Sequence, residues 1–130
     1  MGLGPAFSDT VENRFSNSIV TDPNPFPMGQ WVHCAIVLSL GEGEQRLYIN
    51  GAVVATAPYM APMDPGAATG LGIGVKPNND GTQAAPVDQA GYWIGTIDEV
   101  GLYNAALTAE QVASIYEDAM NGVQLDGTSE

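Results

Sequence analysis

Asn50-Gly51, set between "RLYI" and "AVVAT", constrains this chain more than any other dipeptide in it. A two-residue hairpin loop needs positive φ at both central positions, and Asn followed by Gly accepts that best. The flanking residues are β-branched or aromatic, so the segment predicts two antiparallel strands in fixed register. Upstream, "WVHCAIVLSL" (residues 31–40) has Val32, Cys34, Ile36, Leu38 and Leu40 on one face and Trp31, Ala35 and Val37 on the other. A strand apolar on both faces is expected at the centre of a sheet, with Cys34 and His33 as core residues.

The rest of the chain is read around this frame. "RFSNSIV" (14–20) predicts one strand, "LGIGV" (71–75) a short strand with glycines on one face, and "YWIGTIDEVGLYN" (92–104) a longer one. Loops rich in Pro and Gly span 57–70 and 76–91. Thr108 predicts a helix start, because its hydroxyl can cap the first turn while Gln111 closes a capping box. Val112, Ile115, Tyr116 and Ala119 form an apolar stripe, and Asn121-Gly122 supplies a stop. The expected organisation is one domain over residues 1–122 and a polar tail over 123–130. Gly (16) and Pro (9) are frequent, as an all-β domain with many turns requires.

Charge excludes one class of partner. The net charge is −12 and Lys and Arg together number three, so clustered phosphate contacts cannot form and no nucleic-acid partner is expected. The stretch "CAIVLSL" is too short to cross a bilayer, which argues against membrane insertion. With one Cys there is no internal disulfide. The first residues lack a basic n-region and an apolar h-region, so an export signal has been removed or was never present.

Two segments together resemble the laminin-G-like group of the concanavalin-A-like lectin/glucanase superfamily. "WVHCAIVLSLGEGEQRLYINGAVVAT" is similar to the family's Trp-x-His strand and "LYVNG" hairpin, and "GTIDEVGLYNAALTAEQVASIYE" to its terminal strand and helix. The resemblance implies an all-β jelly-roll sandwich of two antiparallel sheets with a short C-terminal α-helix. One departure is plain: the family's early strands carry an Asp-rich "FDG…DY" segment, and nothing before Trp31 matches it. The N-terminal strands are therefore shortened or divergent.

Strand parity puts Asp98 on the face of Val100 and Leu102, pointing inward. A buried carboxylate needs several hydrogen bonds or a cation. Two readings follow: Asp98 accepts backbone N–H bonds, or it holds a structural Ca²⁺ with loop carbonyls, as the resemblance implies. "NNDGTQAAPVD" offers Asn78, Asn79, Asp80 and Asp88 to a cation or a sugar, or is a solvated turn. Tyr59, Tyr92 and Trp93 are candidates for stacking on a ligand, or for packing.

Catalysis is not expected. Glycoside hydrolysis needs two facing carboxylates, and the glucanases of the superfamily carry a Glu-x-Asp-x-x-Glu strand. Only Glu42 and Glu44 lie two apart, in a turn without the third member. A single His excludes triads and histidine metal sites in their usual forms. The expected function is a non-catalytic module that binds glycan or protein surfaces outside the cell. The alternative is a structural subunit of an extracellular filament, surface layer or virion, assembling through sheet edges and loops.

Overall fold

The computed structural model describes residues 10–15, 18–60, 70–78, 81–86 and 91–129. They fall into two compact units, Met1–Ala61 with Gly101–Glu130, and Pro62–Val100. The first unit holds the regular structure: β1 (Glu12–Phe15), β2 (Ser18–Thr21), β3 (Cys34–Ser39), β4 (Glu44–Ile49), β5 (Ala52–Pro58) and α1 (Ala109–Met120). β1 and β2 form an antiparallel pair, and β3, β4 and β5 an antiparallel sheet in that order.

The Asn50-Gly51 turn forms as its chemistry demands. φ is +50° at Asn50 and +78° at Gly51, and Ile49 pairs with Ala52 directly across the loop. Register then shifts between Leu47 and Tyr48, where a bulge makes room for one extra residue of β5.

Cross-strand partners share a face, so Ala35, Val37 and Ser39 lie with Tyr48, Arg46 and Glu44. Val37 and Tyr48 on this face pack with Val112 of α1, and Ala35 and Leu107 border the cluster. Burying a side chain of this size contributes roughly 1.5–3 kcal/mol, so Val112 is the main anchor of the helix. α1 begins on the expected capping box: Gln111 N donates to Thr108 Oγ1 at 3.2 Å and Thr108 N to Gln111 Oε1 at 2.8 Å. It ends at Asn121, followed by Gly122 at φ +70°, whose N–H donates to Ala119 O at 3.2 Å.

The opposite face holds Leu47 and Gln45. β2 packs over β4 and β5 there, burying Val20. Gln45, at 0% exposure, is satisfied from both sides: Asn13 Nδ2 donates to its Oε1 at 2.8 Å, and its Nε2 donates to Ser18 Oγ at 2.7 Å. Ser18 Oγ in turn donates to the Pro58 carbonyl. One polar relay thus fastens the hairpin to the sheet.

Several expectations change. Among the described residues the strand over 31–40 is an edge, not the centre; β4 is central, β2 packs mainly over β5 and β4, and Ile36 is 40% exposed. Cys34 is exposed rather than a core residue, on the face of Ile36. The single strand expected over 14–20 is the antiparallel pair β1 and β2. Residues 123–129, expected as a tail, close on themselves: Val123 bridges Ser129, and Gln124 N donates to Thr128 O at 2.8 Å. Asp126 Oδ1 caps that turn by accepting from Thr128 N and Oγ1, bonds that hold its carboxyl below the usual carboxylate range.

Candidate functional site

The aromatic pair Tyr92-Trp93 lies in the second unit. Its backbone is tied down by short bridges: Val75 pairs with Tyr92 and Pro77 with Ala84. Trp93 N donates to Gly74 O at 2.8 Å, Lys76 N to Gly91 O at 3.1 Å and Ala85 N to Lys76 O at 3.0 Å. The Tyr92 hydroxyl donates to Ala85 O at 3.4 Å. Gly95 lies against the indole. A Cβ on Gly95 would lie 2.9 Å from Trp93 Nε1, and one on Gly74 would lie 3.9 Å from Trp93 Cβ. Trp93 is therefore held through its backbone and by the close approach of Gly95, and is still 49% exposed, with Tyr92 and Ile94 exposed beside it. A flat ring held in this way can accept the apolar face of a ligand.

Asn78 serves its own turn. Its Oδ1 accepts from Thr82 N at 3.0 Å and Gln83 N at 3.3 Å, while its N–H donates to Gln83 O at 2.9 Å. The solvated-turn reading accounts for these bonds. Asn79, Asp80 and Asp88 lie outside the described residues. Tyr59 is 6% exposed and its N–H donates to Gly43 O at 2.8 Å, so its position serves packing rather than a ligand-facing rim.

The expectation for Asp98 requires correction. A strand exists only through a ladder, and residues 93–104 form none among the described residues. Asp98 is exposed, and its Oδ1 accepts from Glu99 N at 2.9 Å, closing a local turn at Glu99, whose φ is +50°. Asp98 therefore bears no buried charge that must be neutralised. Among the described residues no three His, Cys, Asp or Glu side chains converge as metal ligands. "LGIGV" likewise makes a bend at Ile73 and Gly74, with φ +73° at Gly74, instead of a strand.

Glu42 and Glu44 face a cation, not each other. Arg46 Nη2 lies 2.8 Å from Glu42 Oε2 and Nη1 lies 3.4 Å from Glu44 Oε1. This clamp borders a cleft of about 410 Å³ that Ser39, Leu107, Thr108 and Glu110 also line. Both carboxylates are thus turned toward one guanidinium and not toward each other across a substrate gap. Sequence reasoning placed Gln45 and its neighbours in a turn, because "GEGEQ" is polar and Gly-rich. The signal for a strand starting at Glu44 was the pairing demanded by Asn50-Gly51, counted back six residues.

A family model of the concanavalin A-like lectin/glucanase superfamily, laminin-G type, matches residues 5–113. The chain belongs to that superfamily. As a laminin-G-like domain it has the jelly-roll sandwich as its architecture, which accords with its two antiparallel sheets and C-terminal helix. The crystal structure of residues 221–444 of an S-layer domain-containing protein from Clostridium thermocellum is similar to this laminin-G-like chain, with a TM-score of 0.54 and 22% identity. The match covers 76% of the present chain and 51% of the other, so this chain spans about half the length of that structure. No curated protein gives a significant match. No helix among the described residues is long and apolar enough to cross a membrane.

Proposed function

We propose that this laminin-G-like domain is a non-catalytic recognition module that binds a glycan or protein surface outside the cell. The observation that carries the reading is the half-exposed indole of Trp93, on a backbone bonded to Gly74, beside exposed Tyr92. Sugar rings present apolar C–H faces that stack on such aromatics, and protein surfaces present aliphatic patches that do the same. The pairing of Glu42 and Glu44 with Arg46 supports the absence of catalysis, since hydrolysis would need two carboxyls facing each other across the substrate. The test is binding to a glycan array and to extracellular matrix proteins, with and without Ca²⁺. Binding that is lost in Trp93→Ala, with the circular dichroism unchanged, is the expected result. A wild-type protein that binds nothing on either surface overturns the reading.

A second reading rests on a different observation. Ile94, Ile97, Val100, Leu102 and Tyr103 are exposed, Leu102 at 80%, within a segment that forms no ladder among the described residues. A structural subunit of a surface layer, filament or virion would cover such residues against neighbours. The S-layer protein that is similar in fold supplies the setting this reading extends to the present chain. Sedimentation decides between the two: a monomer at high concentration, with and without Ca²⁺, leaves only the recognition module.

A further inference from the structure

We propose that His33 makes the docking of α1 sensitive to acid: protonation of its imidazole releases the C-terminal half of the helix from the β4–β5 turn. The ring is placed by its own main chain. His33 N donates to Asn50 Oδ1 at 3.0 Å, and Asn50 N donates to His33 O at 2.8 Å. These reciprocal bonds hold the half-buried imidazole beside the turn, where it meets Tyr116 with ring centroids 5.9 Å apart and planes tilted by 41°. Tyr116 in turn rests on Gly51 of the same turn.

Nδ1 of His33 is buried and has no hydrogen-bond partner among the described residues. In the neutral ring that carries its proton on Nε2, Nδ1 is a bare lone pair, and its burial is tolerable. The imidazolium carries a proton on both nitrogens, so Nδ1–H becomes a charged donor buried with no acceptor. That is the costly form of an unsatisfied polar group.

The surroundings offer the cation little. The turn contributes Asn50 and Gly51, neither of which titrates. From α1 the Tyr116 phenol faces the ring, and Glu117 and Asp118, next in the chain, are exposed. From β3 comes Cys34, whose thiol is pushed up by burial and by the Asp22 carboxylate and so is neutral in the relevant range. No described carboxylate forms an ion pair with His33. A cation–π contact with Tyr116 is weak at this distance and tilt. Burial accordingly lowers the His33 pKa below its usual 6.5.

The sign of the effect follows. A histidine depressed in the folded state contributes stability that is full above the unfolded pKa, declines as pH falls from 6.5 toward the folded value, and is constant below that. The smallest motion that rewets Nδ1 is withdrawal of Tyr116. It leaves the β3–β4–β5 ladder intact, so the proton selects helix release rather than global unfolding.

Nuclear magnetic resonance on the full chain tests this between pH 7.5 and 4.5. The expected result is that His33 titrates below 6.5 and that α1 amides from Tyr116 onward lose protection, corrected for intrinsic exchange, while β4 amides keep theirs. The loss should be about tenfold per pH unit between the unfolded and folded titrations. His33→Gln should abolish it. Titration of His33 at or above 6.5, unchanged α1 protection in acid, or the same acid response in His33→Gln would each overturn the proposal. Should the variant fail to fold at neutral pH, the wild-type titration and exchange decide alone.

Discussion

The Cα of Gly51 stands so close to Tyr116 that a methyl group added there would lie 2.9 Å from the ring's Cδ1 and 3.2 Å from its Cβ. Gly51 meets two demands at once, the positive φ of the turn and the approach of the helix. Gly51→Ala should therefore destabilise the fold by about 1–3 kcal/mol, through backbone strain and steric overlap together. Urea unfolding measures the sum. A double-mutant cycle with Tyr116→Ala separates the parts, since removing the ring relieves the overlap but leaves the φ strain. Strict additivity of the two substitutions would mean that the ring and the turn do not meet.

Thr108→Ala removes the acceptor for Gln111 N and half of the reciprocal box. The expected loss is about 1 kcal/mol, read from the thermal midpoint, and Thr108→Ser should recover most of it. Val112→Ala, beneath the same helix, should cost about 2 kcal/mol because it empties the contact with Val37 and Tyr48. Truncation after Ala105 uncovers that face entirely and should give an aggregating chain. A folded, soluble truncation would show that the helix contributes nothing to the sheet.

Gln45 tests the relay between hairpin and sheet. Asn13→Ala leaves the buried Oε1 of Gln45 without its donor, at an expected cost of about 1–3 kcal/mol. Exchanging Gln45 for Leu changes a satisfied amide into an apolar group of similar volume and should strand Ser18 Oγ as an acceptor. The two variants together should cost less than the sum of their separate effects.

Asp98→Ala should leave the thermal midpoint nearly unchanged, within about 0.5 kcal/mol of wild type, since its carboxylate is exposed and, among the described residues, bonds to its neighbour's N–H alone. A large loss would show the carboxylate to be covered, and a loss abolished by chelator would restore the Ca²⁺ reading.

These residues also show what could be read from sequence. The hairpin and the helix were legible because their determinants are local: Asn50-Gly51 fixes backbone angles, and Thr108 with Gln111 closes a cap within four residues. The Asp98 segment misled because alternation of apolar residues describes a strand only when another strand pairs with it, which is a non-local fact. β3 misled in a similar way. Apolar residues on both faces state how much cover a strand can use, not how much neighbouring elements provide. The candidate binding aromatics divided for the same reason, Tyr59 taken into the packed interior and Trp93 left at the surface. Gln45 and the Arg46 clamp escaped notice because nothing in a polar, Gly-flanked stretch signals that one amide will end fully buried.

The position of Cys34 makes the native chain its own instrument. It is the single thiol in the sequence and sits exposed on an edge strand of the sheet. A fluorophore or spin label attached there needs no engineered cysteine and no removal of competing ones. Because partial desolvation by its surroundings and the Asp22 carboxylate push the thiol up, exposed though the residue is, attachment should be slow at neutral pH and quicken in mild alkali. Once attached, the probe stands on the Ile36 face of β3, the edge strand of its sheet among the described residues. Its mobility and its distance to a second label would report directly whether anything, from a ligand to another copy of the domain, comes to lie against that edge.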